Sequence, residues 1–208
     1  MSSVINMDSM FKYSSFNSDI SKWEVSSVAD MGGMFYGSAF NSNISEWDVS
    51  SVIDMSSMFN ENKVFNGDIS KWDVSSVANM VYMFRESVFN GDLSNWNVSS
   101  VSAMGSMFRS SIFNGDLSNW DVSSDTLLMD RMFYDNEAFN QDLCAWGDKF
   151  PYVNADGNIA SDIFAESGCT FQDTPHLDKR GPFCACDCVT QCAPQPTPVS
   201  YCYVHIMF

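Results

Sequence analysis

Apolar residues in this chain recur in a fixed frame. Tryptophans fall at Trp23, Trp47, Trp72, Trp96, Trp120 and Trp146, and Met-Phe pairs begin at Met10, Met34, Met58, Met83, Met107 and Met132, with successive members 24 to 26 residues apart. A third series, Phe-Asn, begins at Phe16, Phe40, Phe65, Phe89, Phe113 and Phe139, with one extra residue before Phe65 and another before Phe139. A constant period of this length means stacked supersecondary units, not one globular core. The extra residues leave the frame intact afterwards, which assigns them to loops.

The unit from Ser26 to Val49 reads SSVADMGGMFYGSAFNSNISEWDV. Val28, Met31, Met34 and Phe35 are spaced for one face of a short helix or about two turns of 3₁₀. Ser27 with Asp30 resembles a capping box, and the serine pairs suit the cap position before each helix. The second half, Ile44-x-x-Trp47-x-Val49, has the L-x-x-L-x-L spacing in which the last alternating pair marks a short strand. Between the halves lies a polar turn, with Asn66-Gly67, Asn90-Gly91 and Asn114-Gly115 in three copies. Glycine there suits a positive φ.

About eight apolar positions per unit are too many for a lone loop to bury, whereas stacked units share them as continuous columns. Each large side chain contributes roughly 1.5 to 3 kcal/mol on burial, before entropy. The predicted fold is therefore an α/β repeat: a leucine-rich-repeat-like solenoid of about six 24- to 25-residue units, with a parallel strand ladder and a small Cys-rich C-terminal cap. The predicted domains are the solenoid over 1–148, the cap over 149–192 and a Pro-rich linker and tail over 193–208. Regular stacking is expected to end near Trp146-Gly147-Asp148, where the valine two residues after Trp is missing.

The motif FNxDISxWDVSSVxDMxxMF, assembled from the copies over 1 to about 148, resembles the repeat of BspA-type leucine-rich-repeat surface proteins, also known as a mycoplasma domain of unknown function. That resemblance implies a secreted or cell-surface protein used in adhesion or recognition, with no established catalytic residues. No signal peptide is recognisable, and Met1 sits in the column of Val25, so the expectation is a fragment that begins inside a unit. Extracellular or cell-surface localisation thus rests on the resemblance and on the clustered cysteines.

Charge narrows the partners. The formal net charge is -16, from 26 acidic and 10 basic residues. Such a field repels phosphate backbones and anionic lipid, which argues against nucleic acid. No apolar run is long enough for a direct membrane span. Protein or glycan remains, and the oligomeric state is left open. Six of the seven cysteines lie beyond the repeats, at Cys169, Cys184, Cys186, Cys188, Cys192 and Cys202, with Cys144 in the last unit. They read as disulfides of a cap and lack paired C-x-x-C zinc spacing.

Which columns carry function follows from direction. The Trp and Met columns are expected in the core. The residue between Trp and Val should face outward: Glu24, Asp48, Asp73, Asn97 and Asp121 form the candidate ligand-binding row. Strands ~4.8 Å apart would bring these carboxylates close enough to raise each other's pKa or recruit a cation, and Lys22 and Lys71 beside the row would partly neutralise it. A second column, Asp19, Asn43, Asp68, Asp92, Asp116 and Asp142, reads as structural acceptors in turns, as does the Asn column from Asn17 to Asn140. No metal ligand set and no catalytic constellation is recognisable, since His176 and His205 both lie outside the repeats. The expected function is a non-catalytic extracellular recognition or adhesion module, with a cation-stabilised structural spacer as the alternative. No cofactor is called for, calcium being the one cation left open.

Overall fold

A computed structural model describes residues 4–123, 127–147, 149–150, 160–175 and 183–185. Its basic unit is a tight turn. In one repeat the backbone N–H groups of Trp47, Val52, Met58 and Asn62 donate to the carbonyls of Ile44, Val49, Met55 and Phe59, each three residues back. The apolar-x-x-apolar spacing thus brackets turns, and the bracketing side chains point inward. Ile44, Trp47, Val49, Val52, Met55, Met58 and Phe59 are all buried, the most exposed at 4%.

The predicted α/β leucine-rich-repeat-like solenoid with a parallel strand ladder is overturned. Among the described residues there is no α-helix and no extended strand, only isolated bridges and one 3₁₀ turn, Cys144–Trp146. The i, i+3 spacing of Met31 and Met34 closes a turn in place of a helical segment. Its third residue, Gly33, has φ 57°, and the next turn, Phe35 to Ser38, places Gly37 at φ 59°. Positive φ at that position is what a type II turn needs and an α-helix excludes. Equivalent positions in other repeats, such as Ser57, Glu61, Tyr82 and Glu86, hold φ between 53° and 60° without being glycine.

The serine pairs have no helix to cap. Ser26 and Ser27 instead form the middle of a turn closed by Val28 N–H on the Val25 carbonyl. The Trp-x-Val segment is not a strand either, because Trp47 closes one turn and Val49 opens the next.

Backbone groups left over by the turns are satisfied one repeat away. N–H groups of Met31, Gly33, Phe35 and Gly37 donate to the carbonyls of Asp54, Ser56, Met58 and Asn60 at 2.7 to 2.9 Å. Isolated parallel bridges connect Asn6, Asp30, Asp54, Asn79, Ala103 and Leu128 in sequence. This contact lies in the half expected to be helical, not in the half expected to be a strand.

Side chains tie the other half together. The indole N–H of Trp47, Trp72, Trp96, Trp120 and Trp146 donates to Ile20, Ile44, Ile69, Leu93 and Leu117 carbonyls of the preceding repeat at 2.9 to 3.1 Å. Asn41, Asn66, Asn90, Asn114 and Asn140 donate their backbone N–H to the side-chain oxygen of the preceding column member. Two columns of phenylalanine rings stack through the core. Phe35, Phe59, Phe84 and Phe108 follow each other at 5.6 to 5.7 Å between centroids, and each also stacks on the Phe of its own Phe-Asn pair at 3.9 to 4.3 Å.

The Asn-Gly glycines are explained by space, not by φ. Gly67, Gly91 and Gly115 are not in the left-handed region. A Cβ there would stand 2.7 to 3.1 Å from the ring of Phe65, Phe89 or Phe113.

Both single-residue insertions are absorbed by one substitution. Where the repeat has Ser38, Ser87 or Ser111 as a buried polar residue, the two longer copies have Asn62 and Asn136, each fully buried. Ser38 reaches the N–H of Phe40, two residues on, whereas Asn62 Oδ1 accepts from both Val64 and Phe65 at 3.0 and 2.9 Å. The longer side chain spans the extra residue.

Stacking continues past residue 148. Ile163 and Phe164 occupy the Met-Phe columns: Phe133 N–H donates to the Ile163 carbonyl and Phe164 stacks on Phe133 at 5.7 Å. Cys169 follows Ser167 as Phe89 follows Ser87, and it forms a disulfide with Cys184 at the end of the Phe column. Cys144 is also disulfide-bonded. Most of the expected cap, and all of the tail over 193–208, lie outside the described residues.

Two expected outcomes test this account. Trp72→Ala removes a buried ring and its bond to Ile44, and denaturant unfolding should show a loss of about 3 to 5 kcal/mol; a loss below about 1 kcal/mol would place the ring on the surface. Asn62→Ala strands the Phe65 N–H in the core and should cost about 1 to 3 kcal/mol, whereas the same change at exposed Asn95 should leave the midpoint unchanged.

Candidate functional site

All five residues of the predicted row, Glu24, Asp48, Asp73, Asn97 and Asp121, are exposed. Each from Asp48 onward caps its own turn. Asp48 Oδ1 accepts the Ser50 N–H at 3.1 Å and the Ser50 hydroxyl at 2.6 Å, and Asp73 accepts the same pair from Ser75 at the same distances. Asn97 does likewise with Ser99, and Asp121 accepts the Ser123 N–H at 3.2 Å. The side chains are therefore oriented by the serine that follows.

These bonds decide the electrostatics. Ser50's hydroxyl, then its N–H, holds the Asp48 carboxyl below its ordinary value, against slight desolvation and the like charge of Asp73. Asp73 is lowered by Ser75 in the same way, and Asp121 by the Ser123 hydroxyl first. The expected mutual raising is thus reversed in sign, because hydrogen bonds to the charged form outweigh repulsion through solvent. The row stays ionised at neutral pH. Lys22 and Lys71 act on Asp19 and Asp68 in the turn column, not on the row, while Lys149 acts on Asp121.

The second column has the structural role its sequence suggests. Asp19, Asn43, Asp68, Asp92 and Asp116 each accept the N–H two residues on at 2.9 Å, and Asp142 accepts that of Cys144 at 2.8 Å. Among the described residues no group of three His, Cys, Asp or Glu side chains converges as a metal would need. A shallow depression of about 440 Å³ is lined by Asp116, Ser118, Gln141, Asp142, Cys144 and Ala145. Its two aspartates are both committed to turns. His176 and His205 lie outside the described residues.

A second surface escapes a consensus reading because it is built from the variable positions after each Met-Phe pair. Lys12 lies over the Tyr36 ring at 4.6 Å, and Tyr36 donates its hydroxyl to Glu61 at 3.0 Å. Arg85 pairs with Glu86, Arg109 lies over Tyr134 at 5.0 Å, and Tyr134 donates to Glu166 at 2.7 Å. The acceptor carboxylates help hold both phenols protonated, Tyr36 through Tyr13 first and Tyr134 through Glu166. No periodic signal marks these residues, since the repeat leaves each of them free to differ.

The repeated motif behind both surfaces can be matched to known sequences. A family model described as "Mycoplasma protein of unknown function, DUF285" covers residues 1–87 and again 68–155. The chain belongs to the DUF285 family. No curated protein and no solved structure matches it. No helix among the described residues is long and apolar enough to cross a membrane.

For this DUF285 repeat the lowered carboxyl values set the pH response. A carboxyl lowered by folding contributes stability that is complete above its unfolded value, about 3.9 for Asp, and is lost as pH falls through the folded value. Thermal midpoints should therefore be flat between pH 7 and about 5 and fall below about 4. In Ser50→Ala and Ser75→Ala the Asp48 and Asp73 carboxyls, followed by NMR titration, should move upward; values that stay put would show that the serines do not set them.

Proposed function

We propose that this chain is a non-catalytic recognition module of a cell surface, which presents its Asp row to a protein or glycan. The observation that carries the proposal is the fixing of one ionised, solvent-facing carboxylate per repeat by a dedicated serine. A row kept only for solubility has no need of oriented side chains, whereas a partner bound at several points gains from groups already held in place. The net charge of -16 favours a basic or cation-bridged partner. The finer kinship, to BspA-type surface proteins, and the extracellular setting are part of the proposal and rest on the recurring motif and the clustered cysteines.

Asn97 supplies the control. It keeps the same two bonds to Ser99 without a charge, so Asp→Asn removes charge and retains the turn. The purified chain should bind a member of a panel of extracellular proteins and glycans, and Asp48→Asn, Asp73→Asn and Asp121→Asn combined should abolish that binding with the thermal midpoint unchanged. Equal binding by the triple variant would remove the row from the account. Running both with calcium and with chelator addresses the spacer: a midpoint that rises with millimolar calcium, without any bound partner, would favour it.

A further inference from the structure

Each junction between repeats is built on one plan, and the N-terminal edge is one half of that plan left open. At an interior junction the earlier repeat offers four alternate backbone N–H groups, an Asn side-chain oxygen and an Ile or Leu carbonyl. The later repeat offers four alternate carbonyls, an Asn backbone N–H and a Trp indole N–H. The first repeat uses its own N–H groups correctly: Met7, Ser9, Phe11 and Tyr13 donate to Asp30, Gly32, Met34 and Tyr36.

Its outer side has no such partners. Among the described residues, the carbonyls of Asn6, Asp8, Met10 and Lys12 accept no backbone N–H, although their equivalents one repeat on all do. The backbone N–H of Asn17 and the indole N–H of Trp23 likewise find no acceptor, although the five later indoles do. Apolar surface lies beside them: Trp23 is 37% exposed and Met10 52%, whereas Trp47 is 4% and Met34 fully buried.

We infer that this edge is a docking site for one further repeat of the same pattern, supplied by a second polypeptide. The fit follows from continuity with the interior junctions, since such a segment brings the four donors, the two acceptors and the apolar columns at the required spacing. A second copy placed edge to edge brings another row of acceptors and no row of donors to meet it. The opposite end of the stack offers no substitute, because the Cys169–Cys184 disulfide occupies the end of its Phe column.

The probe is a synthetic peptide with the sequence of residues 26–51, with Trp47→Phe so that only the intact chain fluoresces. Titrated to millimolar concentration, it should bind saturably, shift the chain's tryptophan emission to the blue and protect one exposed indole from acrylamide. The emission change should vanish with Trp23→Phe while the heat of binding persists. A peptide N-methylated at the positions of Met31, Gly33, Phe35 and Gly37 should bind about a hundredfold more weakly, having lost four donors. Equal affinity of the methylated peptide, no saturable binding, or a dimer with Trp23 already protected in the absence of peptide would each overturn the inference.

Discussion

A chain that reverses direction every few residues cannot satisfy its own backbone, and this requirement organises the rest of the molecule. Helices and sheets pair N–H with C=O internally, whereas tight turns close one bond and leave the neighbouring groups unpaired. Here those groups find partners one period away. Left-handed residues such as Gly33 and Glu61 direct alternate N–H groups toward the next repeat, where carbonyls at the same spacing receive them. Non-glycine residues accept a conformation that costs roughly 1 to 2 kcal/mol each, because register across the stack over-determines it.

The core obeys the same register. Trp indoles reach back to the preceding repeat's carbonyl and Asn side chains accept from the following repeat's N–H, so every polar group near the apolar columns is spoken for by position. An inserted residue that shifted this register would unpair a whole junction. Asn62 and Asn136 prevent that by spanning the extra residue locally, and the Phe columns run on without interruption.

Period, buried columns and both insertions are legible in the sequence because burial imposes residue type at fixed intervals. The local conformation is not, and the reason is specific. Met31 and Met34 share a helical face and equally bracket a turn, since i, i+3 spacing serves both. What separates them is the φ of Gly33, and in other copies that place holds Ser57 or Tyr82, which no propensity scale would put there. Gly67 misleads in the opposite sense: an Asn-Gly pair suggests positive φ, yet the glycine is there because the Phe65 ring leaves no room for a Cβ. Cys169 in place of a phenylalanine is invisible to a motif search, although it ends the same column.

The outward row is legible as a column of charge, but not as a column of oriented charge. Direction comes from the Ser that follows, and the serines carry a different task from the capping their sequence suggests. Repeats stacked with ring centroids 5.6 to 5.7 Å apart bring successive carboxylates within the ~8 Å screening length of physiological salt. The row therefore acts on a partner as a joint field, broken where Asn97 replaces an aspartate. Asp48 and Asp73 form its continuous part, with Glu24 beyond them at the open end. Asp121, past the gap and beside Lys149, is the member most shielded from the rest. Repulsion along the continuous part would by itself raise its carboxyl values and shed its charge, so the serine bonds do two things at once: they close the turns that the fold needs and keep ionised the groups that any partner must meet.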